Sequence, residues 1–408
     1  MRRVVVTGMG VVSSLGSSLQ KSWERLHTLE NAVKHSDQLT ACRGMHSHLY
    51  APVTDFVMPE SYTRKVIRTM GPVSIFALNA TEQALEQAGL IDSPEVKDGR
   101  LGVAYGSCSG SVKPNADFLK ILSDNDIGSV TSFSYVKIMP HTTAANISIH
   151  FKTTGRVVPS NTACTAGSLA IGSAYELIKF GIQDIMKAGG AEEFSPTQVA
   201  VFDTLYATTI KNDTPQLTPT PYDLNRDGLV IGEGAGTLIL EEYEHAKARG
   251  AHILAEVVGF CNNSDGTHIT QPNSRTMSIC MNQALKDANL SPKDIGYVNG
   301  HGTATMFGDA AEMKATYDVF ADKVSISTLK SYTGHTLGAC GALESIWSIM
   351  MMNDNWYAPT LNLQNPDNKN GSLNHIMKEP KKMQNEFIMS NNFAFGGINT
   401  SIIFKRIA

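Results

Sequence analysis

The chain has 408 residues, of which 18% are charged, and its formal net charge is −4 at pH 7. This length indicates two or three domain-sized units, and the charge balance gives no sign of nucleic-acid binding. No apolar run approaches the roughly 18 residues of a membrane-spanning helix, so we expect no membrane span. The six cysteines are dispersed and lack zinc-type spacing, so we expect reduced thiols, a cytoplasmic location and no bound metal.

Short β-rich runs alternate with helical patterns, which predicts an α/β architecture. The first run, Arg3–Val12, is predicted as a strand and not as a signal peptide, because its apolar part is very short. A weak twofold organisation divides the chain near Gly250 into predicted halves 1–250 and 251–408. The other predicted strands are Leu101–Gly106, Asp184–Ala188, Gly236–Glu241, Ile253–Phe260, Ile295–Asn299, Val324–Ser327, Phe387–Ser390 and Thr400–Lys405.

The most informative stretch, residues 161–168, places Cys164 where a helix should begin. Small residues follow the cysteine, and the predicted helix is apolar on most of its circumference, as is typical of a helix buried between layers. A thiol in the first turn lies at the positive end of the helix dipole, which favours the thiolate and a nucleophilic role. A small core cysteine is the alternative, and for a single cysteine it is the commoner case.

Two histidine motifs follow predicted strands further along the chain. His301 lies in the motif 298–305, after a short apolar run, and His335 ends the motif 330–335, before a helix rich in small residues. Ligands of α/β sheets bind outside the carboxyl ends of strands. Either histidine alone would more often be a structural or surface residue. Together with Cys164, however, the two histidines indicate a single catalytic constellation.

These motifs resemble those of the β-ketoacyl-acyl-carrier-protein synthases, the decarboxylating condensing enzymes of fatty-acid and polyketide synthesis, of the elongating type. The resemblance runs through residues 3–10, 222–236 and 390–399 and covers essentially the whole chain. It implies a thiolase-like fold of two similar halves in five layers, α-β-α-β-α. It also implies 3-oxoacyl-[acyl-carrier-protein] synthase activity, in which Cys164 takes an acyl chain from a carrier thioester and a malonyl carrier then condenses with it.

The resemblance assigns roles to individual residues. The backbone N–H groups of Cys164 and Phe395 are expected to bind the thioester oxyanion. His301 and His335 are expected to bind the enolate oxygen, each through Nε2, with a backbone group at Nδ1.

Charged and hydroxyl groups are expected to support these residues. Lys330 should bring positive potential to the site, balanced by Asp309 and Glu312, which lie one turn apart on the helix after His301. Without the resemblance, these three residues would be interpreted as a solvated face. Thr303 and Thr305 match positions whose hydroxyls contact the phosphopantetheine arm in the family.

Further residues are expected to meet the acyl chain and its carrier. Ser109 and Phe202 are assigned to the acyl pocket, and the small Ser109, where the family often carries a bulky aliphatic residue, favours a specialised polyketide or aryl-polyene pathway. No bound cofactor is expected, because the substrates travel on the phosphopantetheine of an acyl carrier protein. We expect a homodimer, with a heterodimer containing a sister subunit as the alternative. The carrier is acidic, so its docking site should be basic and is assigned to Arg64, Lys65, Arg68 and Lys211.

Other functions stay open at this level. A non-catalytic chain-length factor would share the fold but lack the nucleophile, so Cys164 with both histidines favours an active subunit. A nicotinamide-dependent reductase is indicated by residues 7–10 and by the pair Tyr175 and Lys179, but Val12 and Ser14 stand where the phosphate turn requires glycine. Thiolases and initiating synthases share the fold, but the two histidines favour the elongating branch.

Overall fold

The computed structural model describes residues 1–128 and 130–407, and one mixed sheet of eleven strands runs through this part of the chain. Ten of its strands form two sets of five. The N-terminal set consists of β1 (Val4–Ser13), β2 (Leu101–Gly106), β3 (Val157–Ser160), β4 (Ile185–Glu192) and β5 (Gly234–Glu242). The C-terminal set consists of β6 (Ala255–Ser264), β7 (Ile295–Asn299), β8 (Ser325–Ser327), β9 (Phe387–Ala394) and β10 (Ile398–Lys405).

Both sets have the same strand order and orientation. The order is β3-β2-β4-β5-β1 in the first set and β8-β7-β9-β10-β6 in the second. In each set the first two neighbouring pairs are parallel and the last two are antiparallel. Antiparallel pairing of β1 with β6 joins the sets. The repeated order confirms the expected two similar halves, whereas their exact boundary at residue 250 stays a prediction.

Helices form three layers around these two sets of strands. The outer face of the N-terminal set is covered by α1 (Pro72–Gln87) and α2 (Thr142–Phe151). Between the two sets lies α3 (Ala166–Lys179), and α4 (Ser274–Asp287) and α5 (Met306–Phe320) cover the C-terminal set. A second central helix, α6 (Cys340–Asp354), contacts both sets as α3 does. This arrangement is the expected five-layer α/β fold.

Each central helix is preceded by a strained 3₁₀ turn, Ala163–Thr165 before α3 and Leu337–Ala339 before α6. Ala163 has a φ of 49° and Leu337 a φ of 46°, a conformation that residues with a Cβ rarely adopt. Cys164 therefore lies in a sharp turn two residues before α3, and not in the first turn of the α-helix itself.

The predicted strands agree in position with the observed ones, but two differences have physical causes. β4 extends four residues past its predicted end because Gly189 and Gly190 are strand residues. A Cβ on Gly190 would lie 2.2 Å from the carbonyl oxygen of Gly338, so a close crossing under α6 requires glycine there. β3 was not predicted, and it contains Pro159, which an edge strand tolerates.

Short elements complete the described part of the chain, and none of the helices in this part has both the length and the apolar character needed to cross a membrane. The short strands are Lys34–His35, Leu49–Ala51, Ile231–Gly232, Trp356–Tyr357, Asn374–His375 and Lys381–Lys382. The remaining helices are Leu19–Leu26, Asp37–Thr40, Arg64–Ile67, Asn115–Asp124, Ser132–Ile138, Pro196–Asp203, Tyr243–Ala248 and Lys330–Thr333. Further 3₁₀ turns are Pro94–Val96, Pro215–Leu217, Pro292–Asp294 and Asn368–Asn370.

Candidate active site

Three reactive side chains meet where the two central helices begin. The Nε2 atom of His335 lies 2.9 Å from the Sγ atom of Cys164, and the ring centroids of His301 and His335 are 5.2 Å apart. One nitrogen or sulfur atom from each residue lies within 4.8 Å of the others. All three residues are buried, and they follow the carboxyl ends of β3, β7 and β8. The structure thus brings the predicted constellation together in one place.

A cavity of about 440 Å³ is lined by these three residues. Thr303 and Thr305 also line it, and their hydroxyl oxygens are 2.9 Å apart. Several further lining residues are apolar side chains that remain largely exposed, so they form the mouth of the cavity. These exposed apolar residues are Leu205, Tyr206, Ile269, Met306 and Phe307.

Both imidazole rings are held with a donor at Nδ1. The N–H of Leu337 donates to Nδ1 of His335 at 3.3 Å, and the ammonium group of Lys330 donates to Nδ1 of His301 at 3.1 Å. Burial and the charge of Lys330 lower the pKa of both rings well below the ordinary value, so both are neutral. A neutral ring that accepts at Nδ1 carries its proton on Nε2. The expected backbone group is present at His335, whereas Lys330 takes this place at His301.

The spacing of these three residues could also hold a metal ion, but the hydrogen bonds of the rings favour a different use. A metal-bound histidine typically donates from its second nitrogen to an acceptor. In this site both Nδ1 atoms of His301 and His335 face donors instead. Their Nε2 atoms therefore present two N–H groups to the space beside Cys164, an arrangement suited to a developing oxyanion.

The charge of Lys330 is balanced by Glu344, which lies outside the predicted set. Nζ of Lys330 is 2.5 Å from Oε1 of Glu344, and both side chains are almost completely buried. Although burial opposes it, Cys340 and Glu344 raise the pKa of Lys330 above its ordinary value. Asn392 donates to the second carboxylate oxygen at 2.8 Å. The signal that could have identified Glu344 is that it is the single charged residue within 337–352, since a buried charge requires a partner.

Asp309 and Glu312 hold the backbone of the His301 loop, and Glu344 takes the ion-pair position beside Lys330. The expected charge balance is present in part, because Glu312 also raises the pKa of Lys330. Glu312 accepts hydrogen bonds from the N–H groups of His301 at 2.5 Å and Gly302 at 2.7 Å. Asp309 accepts from the N–H of Ala304 at 3.1 Å. Burial raises the pKa of Glu312 to about 7 and that of Asp309 to about 6. Their role in the structure is to anchor the loop.

The raised pKa of Glu312 predicts a pH-dependent term in stability. Between its ordinary pKa of 4.5 and about 7, the folded protein holds a proton that the unfolded chain has lost, so stability falls as pH rises through this window. Glu312→Gln has no such proton. The free energy of unfolding of the wild type minus that of the variant should therefore decline across the window in urea titrations. Glu24→Gln, at an exposed position, should give a constant difference, and a constant difference for Glu312→Gln would contradict this prediction.

The environment of Cys164 keeps its thiol protonated in the free protein. Burial raises the pKa of Cys164 to about 11, although Lys330 and the backbone N–H groups of Phe395 and Cys164 lower it. The N–H groups at this turn favour the thiolate as expected, but desolvation has the larger effect on the pKa of the thiol. The two N–H groups nevertheless lie close enough to act on the sulfur, so donors for an oxyanion adjoin the nucleophile.

The two predicted acyl-pocket residues differ in position. Phe202 lines the cavity, and its ring centroid lies 5.0 Å from that of Phe395. Ser109 is not among the lining residues; its hydroxyl accepts from Nε2 of Gln198 at 3.5 Å, and its N–H donates to Glu192 at 3.2 Å. The structure thus places Phe202 beside the site and Ser109 in a polar layer behind it.

The residues predicted to dock the carrier differ in exposure and in ion pairing. Arg64, Lys65 and Arg68 are exposed at one short helix. Lys211 is half-buried, and its Nζ lies 3.2 Å from a carboxylate oxygen of Asp227. Asp227 therefore partly balances the charge of Lys211, and the assignment of Lys211 to carrier docking stays a prediction.

The features that indicated a reductase have structural roles. Gly8 lies inside β1, where a Cβ would be 2.1 Å from the carbonyl oxygen of Ala84, so glycine there allows close packing of α1. Lys179 lies 2.5 Å from a carboxylate oxygen of Asp287 and donates to the hydroxyl of Tyr175 at 2.8 Å. These contacts join α3 to α4, and none of these residues lines the cavity.

A buried cysteine with two buried histidines beside it, and backbone N–H groups near its sulfur, fits an acyltransferase that works through a cysteine. Comparison with known proteins identifies the protein family. The chain belongs to the β-ketoacyl synthase family: residues 1–246 match its N-terminal domain and residues 254–364 its C-terminal domain.

Individual relatives agree with this assignment over the full chain. The chain is 38% identical to 3-oxoacyl-[acyl-carrier-protein] synthase 2 of Vibrio cholerae, over 100% of this chain and 99% of the relative. A crystal structure of a β-ketoacyl synthase from Burkholderia phymatum superposes with a TM-score of 0.98 at 54% identity and full coverage of both chains. A ketosynthase solved in complex with a type II polyketide acyl carrier protein has a TM-score of 0.88 at 31% identity, again with full coverage of both chains. The family, the fold and the enzyme class expected from the sequence are thereby confirmed.

Proposed function

We propose that this protein is a 3-oxoacyl-[acyl-carrier-protein] synthase, which joins a Cys164-bound acyl chain to a malonyl unit with loss of carbon dioxide. The observation that carries this proposal is the pair of Nε2–H donors, on His301 and His335, beside the sulfur of Cys164. A nucleophile and a separate site for a second anion are what a decarboxylative condensation requires.

The first step loads the acyl chain. The sulfur of Cys164 attacks the carbonyl carbon of an acyl-carrier thioester, and the N–H groups of Cys164 and Phe395 bind the resulting oxyanion. Loss of one such donor typically costs about 3–4 kcal/mol of activation free energy. The bond from the carbonyl carbon to the carrier sulfur then breaks, and the departing pantetheine thiolate takes the proton that Cys164 has lost. An acyl-enzyme and a free carrier thiol result.

The second step forms the carbon–carbon bond. The malonyl carrier loses carbon dioxide, and the electron pair of the broken bond passes into an enolate whose oxygen accepts from Nε2 of His301 and His335. The enolate carbon attacks the acyl carbonyl, and the bond to the sulfur of Cys164 breaks. A proton from solvent restores the thiol. Lys330 keeps the proton of His301 on Nε2 throughout, because it occupies Nδ1.

Mass spectrometry of the intact protein tests this proposal. Incubation with carriers bearing saturated and polyene chains of equal length should add one acyl mass, which peptide mapping should locate on Cys164. Addition of malonyl carrier should then release a 3-oxoacyl carrier two carbons longer and restore the unmodified mass. Loading on another residue, or release without chain extension, would contradict the proposal.

We propose that the acyl carrier protein docks on Arg64, Lys65 and Arg68, three exposed cations at one short helix. Charge reversal of all three should raise the KM for acyl carrier about tenfold and leave kcat nearly unchanged, because rim charges act mainly on encounter. Lys211→Glu is the matched comparison and should have a smaller effect, since Asp227 already pairs with Lys211. The measurement is loading rate against carrier concentration. An unchanged KM for the triple variant would place docking elsewhere.

We infer that two copies of this chain pair through β3. This strand ends the sheet, so its outer edge has no partner strand within the described residues. Val157 on β3 and Ile149 on α2, which packs against β3, are 44% and 73% exposed. Pairing of two such edges would extend the sheet and cover the apolar side chains. Sedimentation velocity tests this, and a monomer, or a dimer that needs a sister subunit, would overturn it.

A further inference from the structure

A buried carboxylate reaches the active-site turn from the opposite half of the sheet. Glu192 is the last residue of β4 and has no exposed surface. Its Oε2 atom accepts from the N–H of Cys108 at 2.7 Å and from the N–H of Gly338 at 3.2 Å. Its Oε1 atom accepts from the N–H of Ser109 at 3.2 Å and from Nε2 of Gln198 at 3.3 Å. One side chain thus ties a loop of the N-terminal half to a turn of the C-terminal half.

The turn that Glu192 holds is the one that orients His335. The N–H of Leu337 fixes Nδ1 of His335, and Gly338 follows directly in the chain. Leu337 is in the left-handed region, a conformation that persists only where surrounding contacts maintain it. A Cβ on Gly338 would lie 2.7 Å from the nitrogen of Cys108 and 2.8 Å from Oε2 of Glu192. The turn therefore packs closely against Cys108 and Glu192, and the hydrogen bond from the N–H of Gly338 to Glu192 fixes the position of the turn.

The contacts of Glu192 require a group that accepts on both oxygens. Burial raises the pKa of Glu192 to about 8, against the lowering effect of its N–H donors. Each oxygen nevertheless faces at least one backbone N–H, which cannot rotate away. A carboxyl group keeps a lone pair on both oxygens for these donors even when it is protonated, whereas the NH₂ group of a glutamine offers none and would face a backbone N–H head-on. A buried backbone N–H that loses its acceptor lowers the stability of the fold.

We propose that Glu192 is a positioning residue, which fixes the turn at Leu337 and Gly338 and thereby aims Nε2 of His335 at the enolate oxygen. The inference rests on the proposed function, in which His335 donates to that oxygen. Glu193, the next residue, provides a matched control. It is also buried, but its partners Val73, Ser111 and Val112 all belong to the N-terminal half.

Glu192→Gln tests the proposal, because it keeps the volume but turns one acceptor oxygen into an NH₂ group. Condensation is measured as kcat per acylatable Cys164, with that fraction taken from intact mass, so that misfolded protein does not count. We expect kcat to fall about 10- to 100-fold, since small displacements of a catalytic group have effects of this size. The KM for malonyl carrier should stay near the wild-type value, because Glu192 does not line the cavity. Glu193→Gln should retain wild-type kcat.

A second variant checks that the effect passes through the turn. Gly338→Ala should produce the same loss of kcat, because its Cβ pushes the turn away from Glu192. The double variant should be no worse than either single variant if both act through one displacement. Equal kcat for Glu192→Gln and the wild type, or a loss that appears only in KM, would overturn the proposal. Absence of condensation by the wild type would instead overturn the proposed function.

Discussion

Replacement of Cys164 with alanine is expected to abolish acyl loading and to lower condensation by at least about 10³-fold. The sulfur is the atom that holds the acyl chain between the two half-reactions, so its removal leaves no intermediate. Cys340 is the neighbouring thiol, but it is buried and donates to the carbonyl oxygen of Cys164 at 3.1 Å. Cys340 does not line the cavity, and burial raises its pKa well above the ordinary value, so it should not replace the nucleophile. Intact mass and the rate of 3-oxoacyl-carrier formation measure both losses.

Cys280→Ala is the matched control for this prediction. Cys280 is a free, fully buried thiol on α4, outside the cavity lining, so its variant should load and condense as the wild type does. Wild-type product formation by Cys164→Ala would assign the acyl chain to a different nucleophile. A wild-type protein that loads no carrier would instead support the chain-length-factor alternative.

The positions of Cys164, His301 and His335 could be predicted from the sequence because each lies in a local pattern: Cys164 at a predicted helix start, and the two histidines after predicted strands. That they meet depends on the repeated strand order of the two halves, which places the starts of α3 and α6 side by side. Composition gave only a weak sign of this duplication. The resemblance to a known family supplied what the pattern alone could not.

The differences from expectation at the site have a common cause. The helix dipole at Cys164 is local and could be predicted, but burial depends on the whole fold and proved the larger influence on the thiol pKa. Asp309 and Glu312 were assigned to balance Lys330 because they lie one turn apart on the helix that follows His301. Glu344, fourteen residues after Lys330, is brought to it by the path of the chain into α6. Partners across layers are set by topology and are not visible in local sequence.

The duplication also explains how one site serves two reactions. The turns before α3 and α6 are equivalent, and both contain a residue with positive φ. In the N-terminal half this turn carries Cys164, which is met by the backbone of Phe395 just after β9. In the C-terminal half it carries Gly338, which is met by Glu192 at the end of β4, the strand equivalent to β9. Equivalent turns therefore have different roles in the two halves. The N-terminal turn provides the nucleophile with its oxyanion donors, and the C-terminal turn fixes the orientation of His335.

Lys330→Met is expected to cause two separable losses. Removal of the ammonium group leaves the buried carboxylate of Glu344 without its ion-pair partner, which should lower the free energy of unfolding by about 3–5 kcal/mol. It also removes the nearer donor at Nδ1 of His301 and leaves only the longer contact with Nδ2 of Asn392 at 3.4 Å. The ring can then carry its proton on Nδ1, and Nε2 no longer donates to the enolate. Loss of one such donor should lower condensation by about 10²–10³-fold. Urea unfolding and condensation per acylated enzyme measure the two effects separately.

The double variant Lys330→Met/Glu344→Gln distinguishes charge balance from catalysis. It removes both charges, so most of the lost stability should return, whereas condensation should stay low because Nδ1 of His301 still lacks the ammonium donor of Lys330. Lys187→Met is the matched control: Lys187 is a fully buried lysine on β4 that contacts Thr153, and its loss should leave condensation unchanged. Recovery of both stability and condensation in the double variant would limit Lys330 to a structural role, and the proton on Nε2 of His301 would then need another cause.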